Sequence, residues 1–190
     1  MKKINHIVMI LASVIEVFQW IGAGFLTAMV IMTATGHTEM LSYVSSLNGR
    51  EPFLAVGGLT VSLVGLNAAQ TRTAYLLLFL AGAVTCVLMA LVFRNIHLIF
   101  KTTEGKTKFS EGPTTFQNAN DRMVREIGLF CIAAPVIQAI LGVIARTMIG
   151  PELAEVSNTF SGIVLGLVVL CLSQFFAYGV KLQKDTEGLV

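Results

Sequence analysis

Residues 73–93 read TAYLLLFLAGAVTCVLMALVF, an unbroken run from Thr73 to Phe93 without one charged side chain. Wound as an α-helix, such a run crosses the roughly 30 Å hydrocarbon core of a bilayer, which takes about 20 apolar residues. Arg72 and Arg94 close it at both ends. Outward from it, Ile127 to Ala145 and Val156 to Val180 repeat the pattern, and Ile7 to Thr33 does so with a single acid, Glu16, inside it. Lipid offers no hydrogen bonds to a backbone, so all four runs predict helices. The whole chain agrees. Of its 190 residues 55% are hydrophobic and 13% charged, about half the charge of an average soluble domain. That excludes an ordinary soluble domain, a disordered chain and, at a net charge of +2, a nucleic-acid-binding surface of its own.

The fold expected is therefore an all-α membrane protein, one integral domain over 1–190. Its four transmembrane helices fall at about 7–33, 73–93, 127–146 and 157–180, with an outer segment at 34–72, an inner segment at 94–126 and a tail at 181–190. Basic residues set the orientation, since Lys and Arg are retained on the cytoplasmic side. With both termini inside, ten of the 13 basic residues lie inside and three, Arg50, Arg72 and Arg146, outside. The expectation is a multi-pass protein of the cell membrane with both termini cytoplasmic. Lys2-Lys3 before an apolar run resembles a secretory signal, but Glu16 interrupts the apolar core and the run continues to Met32, which reads as an uncleaved signal anchor.

The connecting segments are unequal. In the outer segment, Asn48-Gly49 and Gly57-Gly58 are turn signals. After the second, Leu59, Val61 and Leu63 alternate with Thr60 and Ser62, the period of a strand. Phe53 to Val56 is its natural hairpin partner, giving a small extracytoplasmic β element between helices one and two; the competing reading is a re-entrant loop. Gly150-Pro151 between the third and fourth runs predicts a tight connection and an antiparallel helix pair. In the inner segment, Lys101 to Pro113 reads as a solvated loop, and Asn118, Asn120 or Asp121 is placed to cap a helix that begins before the third apolar run. Pro135 removes a helical hydrogen-bond donor in the middle of that helix.

Polar residues inside lipid are expensive and mark either a site or a hydrogen-bonded strut. Glu16 lies roughly 14 Å along the first span at 1.5 Å per residue. Gln19 and Trp20 share its face at i+3 and i+4. Gln138 reaches a similar depth in the third span, Gln174 lies nearer the inner surface, and Thr85 is mid-span in the second. Glu16, Gln19, Gln138 and Gln174 are thus the candidate intramembrane polar site, with Arg94 or His97 as possible partners of the acid. Gly162 and Gly166 stand four apart in the fourth span, a spacing that lets helix backbones approach closely, within the chain or between copies.

Chemistry is scarce. Cys86, Cys131 and Cys171 sit singly in different spans, and His6, His37 and His97 are scattered, so neither a redox pair nor a metal triad is expected. HExxH, GxSxG, phosphate-loop and dinucleotide motifs are absent. No enzyme activity, cofactor or metal is expected.

Two stretches carry a resemblance. Thr115 to Gly128 reads TFQNANDRMVREIG, and Phe175 to Val190 reads FFAYGVKLQKDTEGLV. Together with the four-helix layout they resemble the small bacterial four-helix membrane proteins of domain-of-unknown-function family twenty-nine seventy-five. The layout extends over nearly the whole chain and the motifs over about thirty residues, with one basic residue fewer in each motif region. Members are often encoded beside a small Cro/CI-type helix-turn-helix regulator. The resemblance therefore implies a bacterial inner-membrane partner of transcriptional control, with no catalytic residues to transfer.

The function expected is that of a non-enzymatic sensor or regulatory partner. It would engage a cytoplasmic helix-turn-helix regulator or another membrane subunit through Phe116, Asn120, Arg122, Arg125 and Asp185. The alternative is a small transporter, channel subunit or immunity-type protein built around Glu16. A homo-oligomer is compatible with either.

Overall fold

A computed structural model describes residues 2–36, 53–56, 58–107, 110, 117–156 and 160–187. Four long helices dominate: α1 (Lys2–Ala34), α2 (Ala68–Thr103), α3 (Asn118–Met148) and α4 (Phe160–Glu187). Three short strands, β1 (Phe53–Val56), β2 (Leu59–Ser62) and β3 (Ala154–Val156), complete the described elements. All four helices are long and apolar enough to cross a membrane. Their large apolar side chains face outward in number. On α1, Ile7, Leu11, Val14, Phe18, Ile21 and Phe25 are all exposed, as are Phe160 and Phe175 on α4. Water would penalise such a surface by about 25 cal/mol per Å²; hydrocarbon would not. The molecule fits a multi-pass membrane protein.

α2 and α3 outrun their uncharged stretches because local capping chemistry, not hydropathy, sets their ends. α2 starts ahead of Thr73 at a reciprocal capping box. Gln70 N donates to Asn67 Oδ1 at 2.8 Å, and Asn67 N donates to Gln70 Oε1 at 3.1 Å. It ends ten residues past Phe93 in a Schellman turn at Gly105, whose φ of +73° suits a residue without Cβ. There Gly105 N donates to Thr102 O at 3.0 Å and Lys106 N to Lys101 O at 3.1 Å. α3 begins at Asn118, where the Gln117 carbonyl accepts from Asn120 N and Asp121 N, and continues as one helix through the buried Pro135. The last carbonyls of α1, on Thr33 and Ala34, accept from the Arg72 guanidinium, the first at 3.0 Å.

The hairpin forms as the alternation predicts, with Val56 opposite Leu59 and Phe53 opposite Ser62. The tight connection expected at Gly150-Pro151 is corrected: beyond it the chain adds a third antiparallel strand, pairing Val61 with Ala154 and Leu59 with Val156, so the sheet order is β1-β2-β3.

The chain forms two compact units. One comprises Met1–Phe18, Leu88–Ala133 and Gly162–Val190; the other comprises Gln19–Val87 and Ala134–Ser161. In the second unit the sheet is part of the core. Leu59 and Val61 are fully buried and pack with Leu78, Ala81, Leu141 and Ala145, so β2 turns one face wholly toward helices. Beside it Met29, Tyr75 and Phe79 form a smaller cluster, the two rings stacked at 5.8 Å. In the first unit α3 and α4 meet backbone to backbone. A Cβ built on Gly166 would stand 2.8 Å from Gly128 O and 3.1 Å from Ile132 N, and one on Gly128 would stand 3.1 Å from Gly166 O.

Candidate functional site

Two polar constellations stand out, one in each unit. In the second unit, Gln138 Nε2 of α3 donates to Thr85 Oγ1 of α2 at 3.3 Å, while the Thr85 hydroxyl donates to Ala81 O at 2.8 Å. The Gln138 carboxamide also abuts the hairpin turn, for a Cβ on Gly58 would lie 2.6 Å from Gln138 Oε1. Gly58 has φ +86°, so the turn needs glycine both for its backbone and for that contact. Next to the turn, Val56 Cγ1 occupies the space that a side chain on Gly82 would fill, at 2.5 Å from its Cβ position. Gly82, Thr85 and Gln138 all lie near the middle of their uncharged runs. The tip of the β element thus rests on mid-run residues of α2 and α3, which explains why a glutamine is tolerated there.

In the first unit, polar side chains join the ends of α2 and α3. Asn95 is buried and its Nδ2 donates to Glu126 Oε2 at 3.1 Å; Arg122 Nε donates to Glu126 Oε1 at 3.0 Å. Farther along, Asn120 Nδ2 donates to Thr103 Oγ1 at 3.4 Å and Thr107 Oγ1 to Thr102 Oγ1 at 2.9 Å. Thr102, Gln117 and Asn120 are completely buried. The exposed Arg125 pairs at 3.8 Å with Asp121, whose side chain is largely buried. Between the helices, next to the Asn95–Glu126 contact, lies a cleft of about 580 Å³.

The residues expected to form one intramembrane site fall in both units. Glu16 and Gln174 belong to the first unit, Gln19 and Gln138 to the second. Glu16 and Gln19 are half-buried and Gln174 exposed, and none of the three makes a hydrogen bond or ion pair among the described residues. Of the partners proposed for Glu16, His97 Nδ1 instead approaches Met9 O at 3.4 Å. Of the packing pair, Gly166 is buried in the α3–α4 seam and Gly162 is half-buried. Among the expected docking residues, Arg122, Arg125 and Asp185 are exposed. Asn120 is buried and acts as an internal tie, while Phe116 lies outside the described residues.

Sequence reading missed Asn95, Glu126 and Gly128. Glu126 was legible as an acid four residues after Arg122, a helical pairing distance; Asn95 carried no local signal. No group of three His, Cys, Asp or Glu among the described residues is placed to hold a metal ion. The three cysteines are free thiols. No family model, curated protein or solved structure matches the chain.

Proposed function

We propose that this chain is a non-enzymatic four-pass membrane protein, with both termini cytoplasmic, that acts as a regulatory partner of a cytoplasmic helix-turn-helix protein. The kind of partner is what the resemblance implies; one observation supports a docking role. α2, α3 and α4 continue as helices past their apolar runs, to Thr103, back to Asn118 and on to Glu187. Buried polar ties hold the α2 and α3 extensions, notably Asn120–Thr103 and Asn95–Glu126. A chain that only needed membrane anchors would have no use for roughly 10–15 Å of ordered helix beyond the apolar run, at 1.5 Å per residue. These extensions carry six of the 13 basic residues, which supports a cytoplasmic side for them by the positive-inside tendency.

The same placement accounts for the sheet. With α2 and α3 spanning, the hairpin enters from the outer side and its turn reaches mid-membrane depth. Non-helical backbone survives at that depth only when protein covers it and supplies polar partners. The helix-packed face of β2 is such a cover, and the Gln138 carboxamide lies against the turn at Gly58.

The test is site-specific photocrosslinking in cells, from probes at Arg125 and Asp185 and, as outer controls, at Glu152 and Glu155. The expected result is an adduct with a helix-turn-helix protein from the first pair and none from the second. Adducts only to other membrane proteins, only to a second copy of this chain, or equally from both pairs would overturn the proposal.

A further inference from the structure

We infer that the cleft between the inner ends of α2 and α3 is a binding site for an anionic phospholipid, with the lipid phosphate held by Arg94 and Arg122. The inference rests on the membrane placement above but not on the protein partner.

Position comes first. Leu91 and Phe130 in the cleft wall belong to uncharged runs, whereas Arg94, Arg122 and Glu126 belong to the flanking polar helix. The cleft therefore straddles the boundary between hydrocarbon and headgroup on both helices at once. A ligand filling it needs an apolar part beside Leu91 and Phe130 and an anionic part about one helical turn away. A phospholipid has that layout; a soluble anion lacks the first part and a hydrophobic peptide the second. At about 580 Å³ the space is also within the range of about 300–1,000 Å³ usual for ligand clefts.

Charge comes second. Arg94 is exposed and makes no hydrogen bond or ion pair among the described residues, so its guanidinium is open to a ligand. Arg122 spends only its Nε on Glu126, and its side chain is 82% exposed, which leaves its two terminal nitrogens to form a fork toward a phosphate. The acid in the site is already neutralised, because both Glu126 oxygens are engaged, one by Arg122 and one by Asn95. The cleft thus presents a net charge of +1. Basic pockets between membrane helices on the cytoplasmic side are where anionic headgroups bind.

The experiment uses the full chain purified in mild detergent. Native mass spectrometry reads bound lipid with dioleoyl-phosphatidylglycerol, with dioleoyl-phosphatidylcholine, and with inorganic phosphate as the soluble source of the same anion. Phosphatidylglycerol is expected to remain bound at least fivefold better than phosphatidylcholine, and inorganic phosphate is expected not to compete it off. Arg94→Gln should lower phosphatidylglycerol binding about fivefold, the scale of one basic residue at an anionic surface, and Arg94→Glu should lower it further. Because Arg94 has no structural partner among the described residues, these variants test binding and not folding. Arg125→Gln, which removes an exposed charge paired with Asp121 outside the cleft, should leave binding unchanged. Equal binding of the two lipids, displacement by phosphate, or an Arg94→Glu variant that binds like the parent would each overturn the site. A chain that stays dispersed without detergent would instead overturn the membrane placement, so the two failures are distinguishable.

Discussion

Replacing Gly166 with alanine tests the α3–α4 seam directly. The added methyl would stand 2.8 Å from Gly128 O and 3.1 Å from Ile132 N, where carbon contacts prefer about 3.5–4.0 Å. Both neighbours are backbone atoms, so no change of rotamer relieves the clash. The Ile132 side chain, with Cγ1 at 2.5 Å, must move as well. Parting the helices by about 0.5–1 Å forfeits a quarter to a half of each dispersion contact along the seam. Overpacking of this kind costs about 1–3 kcal/mol, against which alanine returns about 0.5–1 kcal/mol of helix propensity. Gly166→Ala should therefore lose about 1–2 kcal/mol. Gly24 is the control, since nothing lies within 4 Å of its Cβ position; there the same substitution keeps only the propensity gain. The two variants should differ by about 2 kcal/mol, roughly thirtyfold in the ratio of folded to unfolded protein. Unfolding by sodium dodecyl sulfate titrated into mild-detergent micelles, followed by helical circular dichroism, measures both. If Gly166→Ala is as stable as Gly24→Ala, the seam is not a close backbone contact and the reasoning fails.

Two further substitutions probe the other unit. Gly58→Ala forces a left-handed conformation on a residue with Cβ and pushes on the Gln138 carboxamide; it should cost about 1–3 kcal/mol. Adding Gln138→Ala should recover only the steric part, as a double-mutant cycle on the same unfolding assay would read. Arg72→Ala removes two donors from the final carbonyls of α1; because the side chain is exposed the loss should be about 1 kcal/mol, with faster amide exchange at the end of α1 and not within α2.

The four long helices and the hairpin were legible because each rests on a local pattern: an uncharged run for the first, and period-two alternation beside Gly57-Gly58 for the second. Helix ends were less so. The run from Thr73 hides the Asn67-x-x-Gln70 box that starts α2 earlier, and hydropathy gives no reason to carry α2 past Arg94 to Gly105. β3 was invisible, since three residues after a Gly-Pro turn have no periodicity and pair only because β2 offers a free edge. Gln138 could be recognised as costly at its depth, but its neighbour is Gly58, eighty positions away, and no spacing rule joins them. The expected four-residue polar site rests on depth along each helix alone; which faces the helices turn to one another decides what meets, and that is a property of packing.

The split origin of the sheet has a consequence for how this chain is made. A ribosome releases β1 and β2 together but delivers Ala154–Val156 only after α2 and α3 have been synthesised. Throughout that interval β2 has one edge with unsatisfied amides and carbonyls, the kind of edge that recruits stray strands. Closing it joins segments far apart in sequence, the slow kind of pairing. The last stitch of the β element is therefore a late event in biogenesis, and the nascent chain is most vulnerable to mispairing between the release of Ser62 and that of Ala154.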